Sequence, residues 1–165
     1  MAYAVVNLDR MSGTEDSSQL LSVKFYDSLN QEAAIENGSI VKIGALLNGE
    51  REVRKATTPA GTETLKEVAL VANPEVIYDE STHHPLEDYI NVAGQVVRAY
   101  RFHQNDGFSA TAEAFDTTPA KGKYIVLQAG TKMKVSNTAT GTVIGTVDEV
   151  WTLGATTYYY VQVAL

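Results

Sequence analysis

The chain has 165 residues, with 13 Lys and Arg against 20 Asp and Glu, a net charge of −7 and no cysteine. That length suits one domain or two small lobes, and it buries roughly 68–70% of the unfolded surface, so a core needs no disulfide or metal staple. The missing cysteines exclude a thiol nucleophile, an iron–sulfur cluster and a zinc ribbon, and the acidic balance argues against a nucleic-acid partner. Basic residues cluster only at Arg51, Arg54 and Lys55, too few to neutralise a phosphate backbone.

Residues 1–19 read as an N-terminal arm. The apolar strip Tyr3, Val5, Val6 and Leu8 ends at Asp9-Arg10, and a polar stretch runs from Ser12 to Ser18. The start has no basic region of the kind that opens a secretory signal, so none is expected. No run approaches the about 18 apolar residues of a membrane span, so no membrane partner is expected either.

Leu20 to Tyr26 fits two periods: Val23 and Phe25 alternate as in a strand, while Leu21, Phe25 and Leu29 would make a helical stripe. It is read as a strand. Asn37-Gly38 precedes the β-branched run Ile40 to Ile43 and predicts a turn entering a strand. Asn48-Gly49 ends that strand and Arg51 to Ala56 starts the next, with a loop over Thr57 to Thr62. Thr64 to Ala72 is the best helix candidate. Gln95 to His103 reads as a strand with Val96, Tyr100 and Phe102 on one face. Gln104-Asn105-Asp106-Gly107 then predicts a hairpin that pairs Phe108 to Ala112 back onto it.

The last third is the most regular. Lys123 to Leu127, Thr131 to Val135, Thr142 to Trp151 and Thr157 to Leu165 read as strands separated by Gly130, Thr140-Gly141 and Gly154-Ala155. Short strands with Gly turns predict a mainly β fold of one or two small barrel-like lobes carrying an extended N-terminal arm. The β-rich domain is expected over 20–165, with sub-lobes 20–118 and 119–165. One echo, Ile35-x-x-Gly38-Ser39-x-Val41-x-Ile43 against Leu127-x-x-Gly130-Thr131-x-Met133-x-Val135, fits either a duplication or the shared grammar of turn and strand.

Motifs for chemistry are absent from the sequence: no G-x-G-x-x-G, no G-x-x-x-x-G-K and no G-x-S-x-G. The densest polar constellation is Asp79-Glu80-Ser81-Thr82-His83-His84-Pro85-Leu86-Glu87-Asp88. Its two imidazoles are adjacent, and adjacent residues of an extended segment point to opposite faces, so a solvated loop outweighs a metal site. Asp9, Glu15 and Asp16 lack the loop spacing of a calcium site. Trp151 and Tyr158-Tyr159-Tyr160 suit strand packing or a subunit interface better than a sugar platform. No catalytic residue, cofactor or metal is expected, and the chain is read as a non-enzyme.

Several stretches resemble the head decoration, or capsid cement, proteins of tailed bacteriophages. They are Ile40 to Leu46, Gly49 to Pro59, Glu75 to Glu80 and Ala93 to Ser109, which together span much of the chain from Ile35. The resemblance implies a structural protein on the outer surface of a virion head, made in the bacterial cytoplasm and reinforcing the capsid. Its implied partners are the major capsid protein and, as an option, further copies of itself in a homotrimer. An acidic surface suits a face turned away from packaged DNA. The strip Tyr3, Val5, Val6 and Leu8 is the expected capsid-contact segment, because it is apolar, terminal and without a hairpin partner; an arm that is disordered or swapped onto its own fold is the competing reading. Two other functions compete: a different virion component, such as a minor tail or head–tail joining protein, and a carbohydrate-binding β module using Trp151 and the tyrosines.

Overall fold

A computed structural model describes residues 2–76 and 85–164. The strands are β1 (Val6–Arg10), β2 (Leu20–Tyr26), β3 (Ile40–Leu46), β4 (Val53–Thr57), β5 (Val68–Val71), β6 (Val97–Arg101), β7 (Gly107–Ala110), β8 (Tyr124–Val126), β9 (Lys134–Ser136), β10 (Val143–Leu153) and β11 (Thr156–Val163). Among the described residues, helix occurs only as three-residue 3-10 turns, at Ser12–Thr14, Ser17–Gln19, Leu86–Asp88 and Ala112–Ala114. The fold is mainly β.

Two sheets share the work. Strands β2-β4-β3-β5-β6 hydrogen-bond into a closed, barrel-like ring, with β2 and β4 parallel and the other pairs antiparallel. The second sheet is antiparallel and runs β1-β7-β11-β10-β8-β9. The ring is drawn from residues 20–101. The second sheet combines β1 with residues 107–163, so the division falls at the β6–β7 turn rather than near residue 118.

Five strands enclose little room. The ring interior is accordingly filled by Val23, Val41, Ala56, Ala69, Val71, Val97 and Ala99, with Phe25 and Ile35 the larger members. The bulkier side chains of the same strands point outward. Ile40, Val68, Leu70 and Tyr100, with Phe102 beyond the end of β6, form one cluster with Phe108, Ile125, Ile144, Val147 and Val161 of the second sheet. The second sheet thereby covers one flank of the ring.

This arrangement explains where sequence periodicity misleads. All four residues of β5 are fully buried, Ala69 and Val71 inside the ring and Val68 and Leu70 against the second sheet. With both faces covered, polar alternation disappears, and the run from Thr64 to Ala72 resembles a buried helix as much as a strand. The predicted helix is a turn followed by β5. Val96 lies outside β6 and is 43% exposed, so only Tyr100 and Phe102 of the expected trio face the core.

The extended arm is also replaced by structure. Val6 and Asn7 pair with Ala110 and Ser109, and Arg10 with Gly107, which makes β1 an edge strand of the second sheet. Ala4, Val5 and Met11 are buried in or beside its core. The strip has no local hairpin partner because its partner lies a hundred residues away. Likewise the predicted hairpin at 104–107 does not pair β6 with β7; it carries the chain from the ring to the other sheet. Asp106 holds that turn, accepting hydrogen bonds from the backbone N–H groups of His103 and Ser12 at 2.9 and 3.0 Å. The Asp106 carbonyl accepts from Val163 N–H of β11 at 2.8 Å, and Asn105 N–H donates back to Val163 O at 3.3 Å.

Gly38 and Gly130, the two turn glycines of the sequence echo, have φ of +81° and +120°. Their surroundings differ. A Cβ at Gly38 would lie 2.9 Å from Ala114 Cβ and 3.2 Å from Ala4 Cβ, whereas one at Gly130 would meet open space. Both substitutions to alanine carry a backbone cost of about 1–2 kcal/mol, and Gly38→Ala adds a clash between the sheets. Thermal melts should therefore rank wild type above Gly130→Ala and Gly130→Ala above Gly38→Ala. Equal losses at both positions would contradict the packing around Gly38.

Candidate functional site

Of the expected contact residues, Tyr3, Val6 and Leu8 are half-buried and Val5 is buried; Tyr3 precedes β1. Its N–H donates to Glu87 O at 2.7 Å, and its side chain borders an open groove of about 600 Å³ that also takes Leu86, Glu113, Thr156, Tyr158 and Tyr159 into its walls. Val5 lines the same groove but is only 4% exposed. It is clamped by Thr111, whose hydroxyl accepts from Val5 N–H at 3.2 Å and whose N–H donates to Val5 O at 3.0 Å. Val6 and Leu8 are half-buried against the core and border a second cleft of about 350 Å³ with Glu75, Arg98 and Tyr100. The four residues therefore divide between two depressions, one beside the residues that lead into β1 and one beside β1 itself.

Glu75, at the rim of the second cleft, has its carboxyl pushed up from the ordinary value by burial, and the Asn37 amide at 3.4 Å opposes that shift. Asn37 belongs to a buried polar network that ties the long β5–β6 connection to the ring. The Asn91 amide donates to Ile35 O at 2.9 Å and to Asn37 Oδ1 at 3.1 Å. The Asn37 amide donates to Asn73 O at 2.9 Å, and the Tyr89 hydroxyl donates to Asn91 Oδ1 at 3.1 Å. Asn91 is fully buried and Asn37 nearly so. These amides reinforce the isolated antiparallel bridge between Ile35 and Asn91, and satisfy backbone groups that the bridge leaves open.

The aromatic residues are packing residues. Trp151 and Tyr158 are cross-strand partners on β10 and β11, stacked with centroids 4.6 Å apart and planes 17° from parallel. Tyr158 and Tyr159 are buried, and Tyr159 meets Phe115 edge-on. Each ring face spent on a neighbour is lost to a sugar, which weighs against the carbohydrate platform.

The acidic residues also have structural partners. Asp9 accepts a short hydrogen bond from the Ser109 hydroxyl, and Asp16 caps a 3-10 turn through Ser18 N–H at 2.9 Å. Among the described residues no three His, Asp or Glu side chains converge as a metal site. His83 and His84 lie outside the described residues.

Among the described residues Glu63 is the most strongly perturbed carboxylate, and no sequence pattern singled it out. It is buried in the Pro59–Glu63 loop, where it accepts from Ala60, Gly61 and Thr62 N–H at 3.0, 2.9 and 3.2 Å and pairs with Lys42 Nζ at 3.3 Å. Burial alone pushes its pKa up. The backbone donors of Ala60, Glu63 itself and Gly61, together with Lys42, outweigh that and hold it at about 2. The loop also fastens the ring to the second sheet, since Ala60 bridges Ala129, Gly130 N–H donates to Pro59 O and the Thr142 hydroxyl donates to Glu63 O. A Gly followed closely by an acidic residue was the available signal, but it is too common to single out one carboxylate.

No protein-family model, curated protein or solved structure matches the chain.

Because the folded pKa of Glu63 is below its ordinary value of 4.5, its ionised form stabilises the fold. That contribution is complete above about pH 4.5 and is lost as pH falls from there to about 2. Glu63→Gln should destabilise the protein near neutral pH by about 1–3 kcal/mol. It should also flatten the fall in stability across that acid window. Chemical denaturation at stepped pH checks this; parallel wild-type and variant curves would show that Glu63 is not the acid-sensitive latch.

Proposed function

We propose that this chain is a non-enzymatic structural protein that binds the outer surface of a tailed-bacteriophage head and stabilises the assembled shell. The observation that carries the reading is the resemblance of its sequence to head decoration proteins, considered with where those stretches fall. Residues 40–46 are β3, residues 49–59 contain the β3–β4 turn and β4, and residues 93–109 contain β6 and the passage into β7. The resembling segments thus build the ring and its junction with the second sheet, the framework of the fold rather than a catalytic pocket. The stretch 75–80 extends beyond the described residues at Val76.

Two features support a binding role over a catalytic one. The groove beside Tyr3 is open and lined by a near-even mixture of apolar and polar groups, and the perturbed carboxylate Glu63 is consumed by backbone donors. Modest contacts by many identical copies on a lattice sum through multivalency, so a shallow groove suffices.

The structure changes how the contact strip is tested. Removing residues 2–8 would take Ala4 and Val5 from the core and three of the five residues of β1 from its sheet, so loss of binding would only report unfolding. Tyr3 is the informative position. The intact protein should co-sediment, saturably and in fixed stoichiometry, with expanded capsids that lack it. It should also raise the temperature of DNA release, because a ligand selective for the intact shell stabilises it. Tyr3→Ser should weaken that binding by about 1–2 kcal/mol, the scale of an aromatic anchor, with an unchanged melting temperature of the free protein. No binding by the intact protein would overturn the proposal, and full binding by Tyr3→Ser would remove Tyr3 from the contact.

A further inference from the structure

The chain contains two Asn-Gly dipeptides, Asn37-Gly38 and Asn48-Gly49, and the fold places them in opposite environments. Asn-Gly is chemically fragile because the glycine nitrogen is unhindered and can reach the asparagine side chain. Reaction requires three freedoms: a side chain able to rotate toward its own backbone, a glycine N–H free to lose its proton, and access for water.

At Asn37 all three are denied. The residue is 2% exposed. Its amide nitrogen donates to Asn73 O, its oxygen accepts from Asn73 N–H and the Asn91 amide, and Gly38 N–H donates to Val71 O at 2.8 Å. The related Asp106-Gly107 pair is equally held, with Asp106 2% exposed and its carboxylate taken by Ser12 and His103.

Asn48 is different. It sits with Gly49 at the tip of the β3–β4 hairpin, both residues exposed, in a turn closed by Glu50 N–H to Leu47 O at 3.0 Å. Among the described residues, neither the Asn48 side chain nor the Gly49 N–H has a hydrogen-bond partner, and the space where a Gly49 side chain would stand is empty. We propose that Asn48 is a site of spontaneous covalent modification, deamidating to aspartate and isoaspartate in the folded protein while Asn37 is protected.

In the reaction the Gly49 nitrogen, having lost its proton, attacks Asn48 Cγ. A new C–N bond closes a succinimide ring, and the side-chain nitrogen leaves as ammonia, carrying the proton that Gly49 gave up. One water then opens the ring at either carbonyl. Opening at one yields aspartate; opening at the other yields isoaspartate, which reroutes the main chain through the side-chain carbon. Both add a negative charge beside Glu50 and Glu52, and isoaspartate lengthens the turn that sets the β3–β4 pairing.

The test is incubation of the intact chain at mildly alkaline pH, followed by peptide mapping with mass spectrometry. Isoaspartate is scored separately by enzymatic carboxyl methylation. Conversion at Asn48 should exceed that at Asn37 by at least about tenfold in the folded protein, since Asn37 reacts only through opening of its surroundings. In urea the two rates should converge. Asn48→Gln should remove nearly all methyl acceptance from the folded protein. Similar rates at Asn37 and Asn48 in the folded chain would overturn the proposal. So would an inert Asn48 over a time in which the denatured chain converts.

Discussion

A ring of five short strands has room for few large side chains, and the rest of the molecule follows from that constraint. Valine and alanine make up most of the interior of this one, beside Phe25 and Ile35, so the larger apolar side chains of β3, β5 and β6 face outward. Ile40, Val68, Leu70 and Tyr100 would be exposed on an isolated ring, and the second sheet exists in part to cover them. Burying each such side chain contributes about 1.5–3 kcal/mol, and none of that is available to the ring alone. The two sheets are one folding problem.

The connections between them answer to the same demand. Each crossing is held by a polar side chain that takes up backbone hydrogen-bonding groups no strand can satisfy. Glu63 gathers the N–H groups of the loop that touches Ala129 and Thr142, and Asp106 gathers those of the turn from β6 to β7. Asn37 and Asn91 do so for the long segment before β6. Among the described residues no buried side-chain polar atom lacks a partner. Buried networks of this kind fix one arrangement of loops, because a half-satisfied version costs more than an apolar one.

What was legible in the sequence follows the same division. The final strands, with Gly turns between them, carry the period-two signal; β8, β10 and β11 fall where periodicity puts them, while β9 begins three residues later than expected, at Lys134. The Asn48-Gly49 hairpin is a local event and was equally readable. β1 was not, because its partner β7 lies a hundred residues away and local pattern does not encode distant pairing. β5 was misread because burial on both faces erases alternation. At 104–107 turn chemistry predicts a reversal but not which strand receives the chain. The same limit applies to candidate sites: Tyr3 was reached only as one residue of a terminal apolar strip, and Glu63 becomes notable only when the donors around it are known.

For the proposed role on a virion head, a single cooperative body with its N-terminal strand sewn into a sheet differs from a domain trailing a flexible arm. Binding would then use preformed depressions beside β1 and the residues that lead into it, and lose little chain entropy on contact. The central claim is that ring and sheet have no independent stability. It is tested most directly by residue-resolved nuclear magnetic resonance through a denaturant titration. Val23 and Ala56 report inside the ring, and Ile144 and Val161 report in the second sheet. The account predicts coincident loss of all four native signals, with one midpoint and one slope. Ring signals that persist after those of the sheet have gone, or the reverse, would contradict it.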